Sequence, residues 1–167
     1  MDLNQGDYVV HPAFGVGVIK DIEEVKFPEK RQALFYRVDF DRTTVWIPVQ
    51  EQQANSIRPI TPKAELSVYR AILKSSPAHL NDDFRARQVE LEGRLKQKSF
   101  QSMCELARDL SARSWSKSLN SFEQNLLRNT LHSIAQEWST ASGMAFDEAE
   151  QEISAFIAEA RRRASLV

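Results

Sequence analysis

The chain is short of the residues that cross-link, anchor or ligate. A single cysteine, Cys104, among 167 residues rules out an internal disulfide, so the fold must be held by its core, as in a reducing compartment. No apolar run approaches the ~20 residues that a membrane-spanning helix needs. The opening MDLNQGDY has no basic-then-apolar signal pattern. A cytoplasmic location and no membrane partner are therefore expected. The three histidines, His11, His79 and His132, are isolated from one another. No paired cysteines, His-x-x-x-His or nucleophile-elbow pattern surrounds them, which argues against an enzyme, a metal site or a bound cofactor. His132 reads as helix surface or boundary packing and Cys104 as a small core residue. Charge of one sign is lacking too: 22 Lys and Arg stand against 23 Asp and Glu. That balance excludes a uniformly basic nucleic-acid coat, so any phosphate contact must come from a local patch.

What is present is unevenly arranged. Residues 1–60 carry 7 Lys and Arg against 9 Asp and Glu, residues 84–128 carry 9 against 5, and residues 129–167 carry 3 against 6. The middle stretch is the basic one. Up to about residue 60 the apolar residues alternate or run in short blocks rich in Val, Ile, Tyr and Phe. This pattern predicts strands over 7–11, 15–25, 33–40, 43–49 and 55–60. Turn residues separate them: Pro12 with Gly15, the tip at 27–30, and Asp41-Arg42. From Thr61 the period becomes helical. Thr61-Pro62 predicts a capped helix to about Ser75, Asn81 caps a second to about Gln97, and Ser99 a third to about Arg113. Asn120 with Glu123 forms a capping box for a fourth helix ending before Gly143, and a fifth runs from about Phe146 to Arg163. The fold class expected is α+β multidomain: an N-terminal SH3-like or Tudor-like β-barrel at 1–60, then an all-α five-helix domain at 61–167.

Three stretches invite a functional reading. Gly15-Val16-Gly17 looks at first like a phosphate-cradling loop, but a dinucleotide fingerprint needs a third glycine and a helix directly after the turn. Val18-Ile19 continues as a strand, so the glycines mark a sheet corner. In TTVWIPVQ, Trp46 and Pro48 alternate and share one face of a strand, and Pro48 favours an edge. An edge strand offers backbone groups to a partner, with Trp46 as aromatic anchor; packing of Trp46 against the second domain is the alternative. In NDDFRARQVELEGRLKQK, Phe84, Arg85 and Arg87 lie near a helix start. An exposed aromatic flanked by arginines suits insertion into a DNA minor groove with phosphates held alongside. Inward packing of Phe84 is the alternative there, and Asp82-Asp83 would repel phosphate.

These residues resemble the CarD/CdnL bacterial transcription factors. The likeness rests on GDYVVHPAFGVGVIKDIEE, then FYRVDF and VWIPVQ, followed by a helical region with ELARDL and FEQNLLRNTLHSIAQEW, and it spans essentially the whole chain. The resemblance implies a Tudor-like domain that binds the RNA polymerase β subunit, joined to a helical domain that contacts promoter DNA, without sequence specificity, at the upstream edge of the transcription bubble. It places Trp46, Ile47 and Pro48 on the polymerase-binding strand. Counting back from Arg108-Asp109-Leu110, it sets Phe84 where relatives carry a tryptophan wedge, with Arg87 in the adjacent basic segment. Three departures stand out: phenylalanine lacks the indole N–H, the Asp82-Asp83 pair precedes a place usually more favourable to DNA, and Val25 falls where some relatives have a basic residue used against polymerase. The competing expectation is a polymerase-bound adaptor whose helical domain recruits another protein and does not bind DNA.

Overall fold

Strand-forming residues of the first sixty positions pair into one antiparallel sheet: β1 (Tyr8–His11), β2 (Gly15–Lys26), β3 (Gln32–Asp39), β4 (Thr44–Pro48) and β5 (Arg58–Pro59). The computed structural model describes residues 3–50 and 57–166. It divides into two compact units, Met1–Ile60 and Thr61–Val167. The strand order is β4-β3-β2-β1-β5, so β4 forms one edge. The five strands and the α+β class are as expected, but no β4–β5 ladder closes the sheet among the described residues, so the sheet is open where a closed barrel was expected. Of the strand expected over 55–60, Arg58–Pro59 pairs with β1, and residues 55–56 lie outside the described residues.

The hairpin turns are those that the turn residues select. A three-residue loop joins β1 to β2, and Gly15, at φ 77, takes the left-handed conformation that closes it. Phe40 N–H donates to the Thr43 carbonyl at 2.8 Å, leaving Asp41-Arg42 as a two-residue connection to β4. One face of the sheet carries the core of this unit: Leu3, Val9, Ile19, Tyr36, Val38, Phe40, Ile47 and Ile57. Gly17 lies within this core. A Cβ there would sit 2.6 Å from the Phe40 ring and 2.8 Å from Val38 Cγ1, closer than packed atoms approach.

The second unit holds α1 (Leu66–Lys74), α2 (Phe84–Leu95), α3 (Phe100–Ser114), α4 (Ser121–Ser142) and α5 (Phe146–Ser165). Three of the expected end signals act as read. Ser99 accepts from Ser102 N–H, Asn120 and Glu123 form a reciprocal capping box, and Gly143 ends α4 at φ 81. Two caps differ. The Thr61 backbone N–H and hydroxyl both donate to the buried Glu137 carboxylate, at 3.1 and 2.8 Å. The chain therefore passes through a 3-10 turn at Lys63–Glu65 before α1 begins. Asn81 accepts from Asp83 N–H, and Asp83 is the residue that caps α2, accepting from Ala86 N–H.

Helix α3 is central. Phe100, Cys104 and Ala107 join a large cluster with Trp138, Ile134 and Ile153, whereas Leu106 and Leu110 join a smaller one with Leu80, Leu91 and Leu126. Helix α2 has little apolar surface to contribute: only Leu91 and Arg87 are buried along it. Ion pairs do the rest. Arg87 Nε donates to Glu123 in α4, and Arg94 Nη2 donates at 2.6 Å to Asp109 in α3. Asp109 also accepts from Ala78 N–H and from Arg108 Nε, so its charge is fully engaged.

Two outcomes follow. Gly17→Ala should destabilise the sheet unit by roughly 1–3 kcal/mol, the usual cost of overpacking, because Val38 is too short to move aside; urea denaturation measures it. Arg87→Met should cost the helical unit about 3–5 kcal/mol, since it leaves Glu123 charged and buried without its partner. The double variant Arg87→Met/Glu123→Gln should recover much of that loss, because glutamine still serves a capping box. Thermal melts of the three proteins would separate a lost charge partner from lost packing.

Candidate functional site

Pairing parity decides what β4 shows to the outside. Val49 N–H donates to the Leu34 carbonyl, and Phe40 N–H to the Thr43 carbonyl. The hydrogen-bonded pairs of the β3–β4 ladder are therefore the odd-numbered residues of β4, because such pairs alternate. Thr44 and Trp46 consequently turn their N–H and C=O groups away from β3, toward the edge. Pro48 has only a carbonyl to offer there. Side chains alternate as well: Ile47 is 4% exposed and packs opposite Tyr36, while Trp46 is 49% exposed opposite Arg37. Trp46 and Pro48 share the outer face as expected. Ile47, named beside them from sequence, points inward, and its side chain fastens β4 to the core.

The outer face is partly organised already. Trp46 Nε1 donates to Glu23 at 3.0 Å, and Arg37 lies 3.2 Å from the other oxygen of the same carboxylate. The indole is thus held at its polar end, leaving ring surface exposed. Holding an anchor in place before contact reduces the rotamer entropy lost on binding.

At the start of α2, Phe84 is the first helical residue and is 54% exposed. Arg85 is exposed beside it. Arg87, expected to face phosphate, faces inward at 6% exposure. Its Nη1 donates to the carbonyls of Asn81 and Asp82, each at 3.0 Å, and its guanidinium carbon lies 6.0 Å from the Phe84 ring centroid. Helical spacing carries the signal that places it: Arg87 is four residues before buried Leu91 and so shares its stripe. Arg87 acts as the support under Phe84, and Phe84 and Arg85 are the residues available at the surface.

The two aspartates expected to repel phosphate have partners. Asp83 is the helix cap. Asp82 sits among Lys117 Nζ at 2.7 Å, His79 Nε2 at 3.2 Å and Arg113 Nη1 at 3.9 Å. The hydrogen bond from Lys117 is the main reason its carboxyl titrates below the usual carboxylate range, with His79 adding to it. Sequence reading gave the 84–128 stretch its basic balance but no hint that Arg113 and Lys117 meet Asp82. That meeting depends on how α3 packs, which no local pattern records.

Other chemistry is sparse. Cys104 is buried, and His132 is an exposed helix residue with its ring against Phe146 at 5.1 Å. Among the described residues no group of three or more His, Cys, Asp or Glu side chains could hold a metal ion. No helix of the described residues is long and apolar enough to cross a membrane.

Comparison with known proteins agrees with this geometry. Residues 3–61 match the CarD-like/TRCF RID domain, an RNA polymerase-interacting kind of domain, and residues 68–154 match the CarD C-terminal domain. A protein of Bacillus subtilis (strain 168) named "Putative transcription factor YdeB" is 28% identical over 152 residues, which span 90% of this chain and 97% of that protein. With both halves matched in order, the chain belongs to the CarD-like family of transcription factors.

Proposed function

We propose that the chain is a transcription regulator with two contact points: the β4 edge takes the RNA polymerase β subunit, and the N-terminal end of α2 contacts promoter DNA near the upstream bubble edge. On this reading residues 1–60 are the polymerase-interacting domain and residues 61–167 the DNA-contacting one. Strand addition at β4 is supported by the outward N–H and C=O groups of Thr44 and Trp46. The half-exposed Trp46 ring supplies the aromatic anchor, with Pro48 beside it.

The observation that carries the DNA half is Phe84, a large aromatic residue exposed at a helix start over a buried, already paired arginine. A ring held there can enter a partly unstacked base step of the minor groove, while Arg85 reaches phosphate. The same ring has no place in fully stacked duplex. It therefore binds opened DNA better than closed DNA, and only such a difference can shift the equilibrium toward the open complex. No step of this mechanism is catalytic.

Trp46→Ala should weaken binding to a β-subunit fragment by on the order of 2 kcal/mol while the melting temperature stays near that of the wild type. Unchanged affinity in the folded variant removes Trp46 from the contact. Phe84→Ala should leave that affinity intact and shorten open-complex lifetime, followed as decay in the presence of a competitor. If the wild type and Phe84→Ala both decay as polymerase alone does, the helical unit recruits a protein instead of DNA.

A further inference from the structure

We propose that the cleft between residues 77–80 and the C-terminal end of α3 is a binding site for a phosphate group, with Arg113 and Lys117 as its principal ligands and His79 as a third. The cleft has a volume of about 200 Å³ and is lined by Pro77, His79, Asp109, Arg113, Ser116 and Lys117, among others. A water occupies about 30 Å³ of liquid, so there is room for a tetrahedral oxyanion. Neither Phe84 nor Arg85 lines the cleft.

Arg113 is the main reason for this assignment. Its side chain is only 12% exposed, yet its guanidinium makes no hydrogen bond among the described residues, and its buried Nε has no partner. Arginine carries five N–H donors, and buried donors are normally satisfied. Its one ionic neighbour among the described residues, Asp82, is 3.9 Å away, beyond hydrogen-bond reach. An unspent guanidinium in a cleft suits a multiply charged oxyanion, which accepts several charge-assisted bonds at once.

The charges agree. Arg113 and Lys117 line the cleft together with Asp109, and both oxygens of that carboxylate are already occupied, by Arg94, Arg108 and the Ala78 N–H. The carbonyl end of α3 opposes an anion. That opposition is weakened, because the Ala112 and Arg113 carbonyls accept N–H groups from Trp115, Ser116 and Lys117. Asp82 does not line the cleft, but its exposed carboxylate already draws on Lys117, His79 and Arg113, so a phosphate would compete with it for the same three groups.

A backbone phosphate of DNA and a free phosphate-bearing molecule share this chemistry. The first source rests on the proposed DNA contact and the second does not. Amide shifts of His79, Arg113 and Lys117 in the full chain would be followed against inorganic phosphate, with chloride at matched ionic strength, and separately against a short DNA duplex. Saturating shifts are expected with phosphate. They should weaken about tenfold in Lys117→Gln, the loss of one charge-assisted bond, and strengthen in Asp82→Asn, which removes the competing carboxylate. If the duplex displaces phosphate, the ligand is the DNA backbone, and the Lys117→Gln salt slope should fall by about 0.9. If the duplex leaves the phosphate shifts untouched, the ligand is a free phosphate compound and the site stands apart from any DNA contact. Absence of saturating shifts with phosphate, or equal affinity in wild type and Lys117→Gln, overturns the site.

Discussion

Arg87 and Glu123 are opposite charges, 36 positions apart, buried together at the N-terminal ends of two helices. Neither could be left alone there, since an uncompensated buried charge costs several kcal/mol. Each also has a second duty. Glu123 closes the capping box that starts α4, while Arg87 gathers the carbonyls of Asn81 and Asp82 just before α2. One ion pair thus ties together the capped starts of two helices. Helix α2 depends on it most, because Leu91 is its only fully buried apolar side chain. The pair, with Arg94 and Asp109 at the other end, does for α2 what an apolar stripe does for α1 and α3.

That arrangement explains how a phenylalanine can stand exposed without loosening the unit. Phe84 is relieved of packing duty by the arginine beneath it. In the sheet, Ile47 plays the corresponding part: buried against Tyr36, it sets the register that turns Trp46 outward and aims alternate backbone groups at the edge. In both units an inward residue, one polar and one apolar, orients an aromatic neighbour. The two contact points are built from different secondary structure by the same division of labour.

The sequence showed local features clearly. Ser99, Asn120 with Glu123, and Gly143 act within three or four residues of themselves, so their pattern is nearly the whole of their physics. The glycine corner was legible because no helix follows it. Thr61 and Asn81 were misleading for one reason each. Thr61 has a cap's chemistry but spends it on Glu137, 76 positions away, and Asn81 is pre-empted by Asp83 two residues on. Arg87 was read by charge, which favours the surface, when its place four residues before Leu91 favours the interior. The company of Asp82 was not legible at all, because Lys117 and Arg113 reach it only once α3 has packed.

The central claim is that the exposed ring at the start of α2 meets opened promoter DNA. A photoreactive benzoylphenylalanine in place of Phe84 tests it most directly. In complexes of polymerase, promoter and this protein, illumination should link position 84 to DNA at the upstream bubble edge, and only after strand opening. Cross-links to protein alone, or equal cross-linking to DNA before and after opening, would contradict the account.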